Sequence, residues 1–176
     1  MIRTNSYYIY GKCRGYLHWW LQDFAFFHTN INWSDQNEIH PHVYVGNIYS
    51  AFNLEELKKN NITHVINCVS GLDNPYEVDF NYFNVDAIDD TQQDIGVYFA
   101  ATSAFIEEAI LNNGNVFIHC ICGVSRSVCI ASAYIIKKEK TNVKDTIDGI
   151  ALKRAQANPN PYFREQLHYW YEKIAR

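Results

Sequence analysis

Residues 115–136 constrain the fold of this chain more than any other stretch. Asn115-Val116-Phe117-Ile118 is a short β-branched and aromatic run. His119-Cys120-Ile121-Cys122-Gly123-Val124-Ser125-Arg126-Ser127 follows, and then a mostly apolar segment, Val128-Cys129-Ile130-Ala131-Ser132-Ala133-Tyr134-Ile135-Ile136, that ends in Lys137-Lys138. The pattern predicts a strand, a tight loop and a buried helix. A strand buried on both faces belongs in the middle of a parallel or mixed sheet. The fold class expected is therefore α/β, with a central mixed, mostly parallel sheet, helices on both faces, and the loop between central strand and helix. The carboxyl end of such a strand is where α/β proteins place a ligand, and Cys120 falls there.

The loop has a chemistry of its own. Successive backbone N–H groups of Ile121, Cys122, Gly123, Val124, Ser125 and Arg126 can converge at the start of the helix, which suits a phosphate-sized dianion. Cys120 would lie at the bottom of this cup. The same donors favour its thiolate, so it needs no separate base. Arg126 offers a fork of donors for two phosphoryl oxygens, and Ser127 can donate to the sulfur when it leaves. Gly123 permits the tight turn. A plain buried cysteine is the bland reading of the same residues. A zinc site on His119, Cys120 and Cys122 lacks a second Cys/His pair to close a tetrahedron, so no metal and no cofactor are expected.

A sulfur nucleophile acting on a phosphate ester needs an acid for the departing oxygen and a base for water. Asp86, Asp89, Asp90 and Asp94 lie within one loop-like stretch after the strand Phe80-Asn81-Tyr82-Phe83-Asn84-Val85. Any of them offers the carboxyl group; Asp86 suits a solvated strand end and Asp94 a helix cap.

The remaining chain supplies the frame. Residues 38–47 read as a strand pair around Pro41, and residues 52–60 as a short helix capped by Asn53 with Glu56 three positions on. Ile62-Thr63-His64-Val65-Ile66-Asn67-Cys68-Val69 reads as a strand in which His64 is a marginal strand residue. Helices are expected over 97–112, 142–154 and 162–172, the last after the breaker Asn158-Pro159-Asn160-Pro161. Residues 1–37 form a separate, aromatic-rich extension. Within it Leu17, Trp20, Leu21, Phe24 and Phe27 share one helical face that is expected to pack on the domain at 38–176, with a dimer contact or an interfacial anchor as alternatives. With 13 Tyr, 10 Phe, 4 Trp and a formal net charge of -4, the chain is not a generic nucleic-acid binder. No apolar run approaches a membrane span, and five cysteines without a paired framework fit a reducing compartment, cytoplasmic or nuclear.

The run from His119 to Ser127 resembles the His-Cys-x-x-Gly-x-x-Arg-Ser signature of the cysteine-dependent protein phosphatases. "Ile-Thr-His-Val-Ile-Asn" at 62–67, and the Arg, Pro-Asn, aromatic and Gln-Leu pattern near the end, resemble the dual-specificity phosphatase family over residues 38–173. The resemblance implies hydrolysis of phosphotyrosine and phosphoserine or phosphothreonine in proteins through a cysteinyl-phosphate. The family pattern "Asp-x-x-x-x-Asp-Ile-x-x-Tyr-Phe" puts its acid about thirty residues ahead of the cysteine, which selects Asp90, with Asp89 as alternative. Catalytic residues are thus expected to be Cys120, Arg126, Asp90 and Ser127. The partner is a phosphorylated protein, with no nucleic acid and no stable membrane insertion, and the chain a monomer or weak dimer.

Other readings of the resemblance stay open: a phosphoprotein-binding adaptor without turnover, or a phosphatase for RNA 5'-phosphate or phosphoinositide. The uncharged loop interior speaks against an inositide carrying further phosphates. His119 is expected to point away from substrate and to position the Cys120 backbone. Cys68 and Cys122 are candidate partners that could trap an oxidised Cys120 as a disulfide, the alternative being small buried hydrophobes.

Overall fold

A computed structural model describes residues 35–175. The expected helix in the first 34 residues lies outside the described part.

Two antiparallel strands open the domain, β1 (Gln36–His40) and β2 (Val43–Gly46), joined through Pro41 and the left-handed His42. A four-residue helix, α1 (Ile48–Ala51), follows at once; no sequence signal had marked it, being a single turn capped by Asn47. Helix α2 (Leu54–Lys59) starts on Asn53, whose side chain accepts from the Glu56 N–H as the capping pattern predicts. Strands β3 (Ile62–Asn67) and β4 (Asn81–Asn84) come next, and a 3₁₀ turn (Gly96–Tyr98) leads into α3 (Phe99–Leu111). Strand β5 (Asn115–His119), helix α4 (Arg126–Glu139), α5 (Val143–Lys153) and α6 (Pro161–Ala175) complete the described chain.

Among the described residues the sheet runs β1-β2-β5-β3-β4. β5 lies in the middle and is parallel to both β2 and β3, β4 is parallel to β3, and only the edge strand β1 runs antiparallel. Parallel pairing demands that each strand return by a crossover, so the carboxyl ends of β2, β5 and β3 gather on one edge. The centre is covered on both faces, for Val116, Phe117, Ile118 and His119 are each 0% exposed although consecutive side chains point to opposite sides.

Helix α4 is the hub of the helical packing. It lies on β5 and β2 and contacts α3, α5 and α6, and its residues from Ser127 to Ile136 are all buried. A helix buried nearly all round favours small or apolar side chains, which explains its mostly apolar sequence, with Ser127 and Ser132 as the small buried polar exceptions. It ends where Lys140 turns left-handed, with Lys137 and Lys138 in the last turn facing the negative end of the helix dipole. No described helix is long and apolar enough to cross a membrane.

Candidate active site

The loop from β5 to α4 wraps around one sulfur. Cys120 Sγ, 2% exposed, accepts from the Gly123 N–H at 3.2 Å and from the Ser127 hydroxyl at 3.3 Å. Burial, the largest influence, pushes its thiol up. The Arg126 guanidinium, the Ser127 hydroxyl and the N–H groups of Ser127 and Val124 together outweigh burial and hold the thiol below its ordinary value. The turn needs Gly123: its φ is +67°, and a Cβ would lie 2.5 Å from the Gly46 carbonyl oxygen.

Ser125 is the N-cap of α4, yet its hydroxyl does not close the helix. It donates instead to Asp89 Oδ1 at 2.8 Å and accepts from the Asn160 N–H at 3.1 Å. The first N–H groups of α4 are therefore left for whatever binds in the cup. Arg126 is fixed by its Nη1, which donates to the carbonyls of Cys68 at 3.1 Å and Ala87 at 3.2 Å. Its buried Nε has no hydrogen-bond partner among the described residues, with Asp89 Oδ2 3.8 Å away. A buried guanidinium edge with a spare donor is what an incoming anion would satisfy.

These groups line a cleft of about 440 Å³ whose walls are Val69, Ser70, Ile88, Asp89 and residues of the 120–126 loop. Asp89 faces it and Asp90 does not. Both Ser125 Oγ and Asn160 Nδ2 donate to Asp89 Oδ1 at 2.8 Å, leaving Oδ2 on the Arg126 side. The Asp90 carboxylate accepts from Gln92 N–H at 3.0 Å and from Thr91 Oγ1 at 3.4 Å in its own exposed turn. The loop that carries both is tied to α6 by Gln166, which accepts from Gly96 N–H at 2.7 Å and donates to Gln93 O at 2.9 Å. No side chain caps the 3₁₀ turn after Asp94, contrary to the helix-cap expectation there.

A family model described as the dual specificity phosphatase catalytic domain matches residues 43–173. The chain belongs to the dual-specificity phosphatase family. It is 37% identical over 140 residues to dual specificity protein phosphatase 1B of Arabidopsis thaliana, covering 80% of this chain and 84% of that protein. Human protein phosphatase Slingshot homolog 3 is 33% identical over 151 residues, which cover 78% of this chain but only 23% of that much longer protein. The crystal structure of human tyrosine phosphatase-like serine/threonine/tyrosine-interacting protein superposes with a TM-score of 0.76 at 29% identity, covering 81% of this chain and 98% of that one.

The other thiols of this phosphatase domain sit in different surroundings. Cys68, at the end of β3, is fully buried, and burial and then the Cys120 charge push its thiol well up. Cys122, half-buried on the cleft wall, is raised by the same two influences, and Cys129 is raised well up by its burial in α4. All four of these cysteines are free thiols. At pH 6 iodoacetamide is expected to alkylate Cys120 ahead of Cys68, Cys122 and Cys129, as read by peptide mass mapping. Labelling of Cys122 first would contradict the thiolate geometry.

His119 is fully buried and stacks on Phe117, with ring centroids 5.7 Å apart. Burial, assisted by Arg126 and opposed by a backbone contact with Cys120, lowers it to about 3, so it stays neutral. Neither ring nitrogen reaches a hydrogen-bond partner among the described residues. The backbone of Cys120 still acts on the ring, which lies buried directly beneath the loop. His64 is a strand residue packed edge-on against Phe105, with Thr63 and Asn81 beside its ring nitrogens. Among the described residues no three His, Cys, Asp or Glu side chains cluster to hold a metal.

Sequence reading quoted Arg154, Asn160 and Gln166 only within the family-like pattern near the end and gave them no place at the site, and it did not single out Asp35. Asn160 had a usable signal, since Asn before Pro at a helix start is a cap pattern, and its Oδ1 does accept from the Phe163 N–H at 2.9 Å. That its Nδ2 also reaches Asp89 depends on tertiary placement alone.

Proposed function

We propose that this chain hydrolyses phosphate monoesters on phosphotyrosine and on phosphoserine or phosphothreonine of proteins through a cysteinyl-phosphate. The observation that carries the reading is the sulfur of Cys120 accepting from Gly123 and Ser127 beneath a guanidinium with a spare donor. The amides of the 121–126 loop and Arg126 bind the three non-bridging oxygens and neutralise charge as it builds. The Cys120 thiolate attacks phosphorus, an S–P bond forms, the ester P–O bond breaks, and the departing oxygen takes a proton from Asp89. Asp89, now a carboxylate, takes a proton from water as that water attacks phosphorus. The S–P bond then breaks, and Ser127 donates to the returning thiolate. Asp89 replaces Asp90 in this role because its carboxyl group lies at the cleft.

The walls support a protein substrate. Val69, Ile88, Ile121 and Val124 give an apolar mouth, and Arg126 is the sole cation lining the cleft among the described residues. Such a mouth suits one phosphate on a polypeptide and gives no partner to the further phosphates of an inositide. The test is phosphate release from phosphotyrosine and phosphothreonine peptides, with a phosphatidylinositol phosphate and a 5'-triphosphorylated RNA as controls. Release from both peptides and from neither control is expected. The human relative named as a phosphatase-like interacting protein gives the second reading, an adaptor. Phosphopeptide binding without release by the wild-type chain would establish it.

A further inference from the structure

Arg154, at the end of α5, is 1% exposed and leads the fully buried side chains by volume. All five of its N–H donors are used. Nε donates to the Gly123 carbonyl at 2.7 Å and Nη2 to the Cys122 carbonyl at 3.3 Å. The far side of the guanidinium grips Asp35 in a two-pronged pair, Nη1 to Oδ1 at 2.9 Å and Nη2 to Oδ2 at 2.8 Å, and Nη1 also donates to Asn37 Oδ1 at 2.8 Å. The next carbonyl of the loop, that of Val124, accepts from the Asn158 N–H at 2.9 Å. Three consecutive loop carbonyls are thus held from behind.

In a trans peptide the C=O and the following N–H point in opposite directions. Holding the Cys122 carbonyl therefore aims the Gly123 N–H, and holding the Gly123 carbonyl aims the Val124 N–H, toward the other side of the loop. Those are two of the amides that act on Cys120. We propose that Arg154, locked in place by Asp35, is a positioning residue that fixes the 122–123 and 123–124 peptide planes so that their N–H groups face the reacting sulfur. Asp35 lies ahead of the span matched by the family model, which begins at residue 43. A buried ion pair adds little net stability over a well-packed apolar replacement; its fork geometry is what an apolar side chain cannot supply. The inference rests on Cys120 being the nucleophile.

Two variants test it, Arg154→Lys and Asp35→Asn. Lysine keeps the charge but cannot hold two carbonyls and a carboxylate together. The readout is the pH midpoint for alkylation of Cys120 by iodoacetamide, measured beside Tm. In Arg154→Lys the midpoint should rise by about one pH unit, so that alkylation at pH values well below the wild-type midpoint slows roughly tenfold. Asp35→Asn should give a smaller rise, and Asp35→Glu should return the midpoint toward wild type. The sign separates positioning from simple charge: without the Asp35 carboxylate, the bare field of Arg154 would favour the thiolate and lower the midpoint. A midpoint that falls or stays fixed in Asp35→Asn while Tm drops would overturn the proposal and leave a structural clamp only. The Asp35 side chain is 20% exposed, so this variant decides the matter even if Arg154→Lys fails to fold. Alkylation needs no turnover. A wild-type chain that alkylates readily yet hydrolyses nothing would therefore refute the phosphatase reading and leave this one standing.

Discussion

Replacing Cys120 by serine is expected to abolish hydrolysis, by about 10⁴-fold or more, while phosphopeptide binding survives. The field around the sulfur is strong enough to hold a thiol below its ordinary value against complete burial. An alcohol ionises far less readily than a thiol, and the same donors cannot bring its hydroxyl to a useful fraction of alkoxide at neutral pH. The cup itself is unchanged, since the amides of the 121–126 loop are backbone groups and Arg126 is fixed by the carbonyls of Cys68 and Ala87. Initial rates on p-nitrophenyl phosphate, with fluorescence polarisation on a labelled phosphopeptide, separate the two effects. A variant that keeps several per cent of wild-type turnover would mean that another group attacks phosphorus.

The part of this site that was legible in the sequence is the part made of consecutive residues. A β-branched run, a glycine and a mostly apolar segment pointed to a central strand, a tight turn and a buried helix, and β5, Gly123 and α4 are those elements. Asn53 and Glu56 announced α2 in the same local way. Sequence distance and geometry point to different carboxylates. Counting thirty residues back from Cys120 selects Asp90. Counting the Asp-x-x-x-x-Asp spacing back from Asp94 and Ile95 selects Asp89, the carboxylate that lines the cleft. Strand and helix lengths between the two loops can vary by a residue, so the nearer landmark is the better ruler. Arg154 and Asp35 are 119 positions apart, and nothing local couples them; an arginine at a helix end reads as a favourable dipole contact until the fold buries it under the phosphate loop.

The Asp89 and Asp90 pair turns that distinction into the second large effect. Asp89→Asn should cut kcat by about 10² or more on phosphothreonine peptide and much less on p-nitrophenyl phosphate, whose leaving oxygen needs little help from a proton. Asp90→Asn should stay within about twofold of wild type on both, because its carboxylate serves only an exposed local turn. Activity rises as Cys120 loses its proton, and its lowered pKa puts that rise on the acid side of an ordinary thiol's. In Asp89→Asn this rise should persist, because it belongs to the sulfur. Asparagine still accepts through Oδ1 from Ser125 and Asn160, so the loop stays docked and the loss is chemical, with KM little changed. A large kcat loss in Asp90→Asn with Asp89→Asn near wild type would return the proton to Asp90 and require this loop to rearrange when substrate binds.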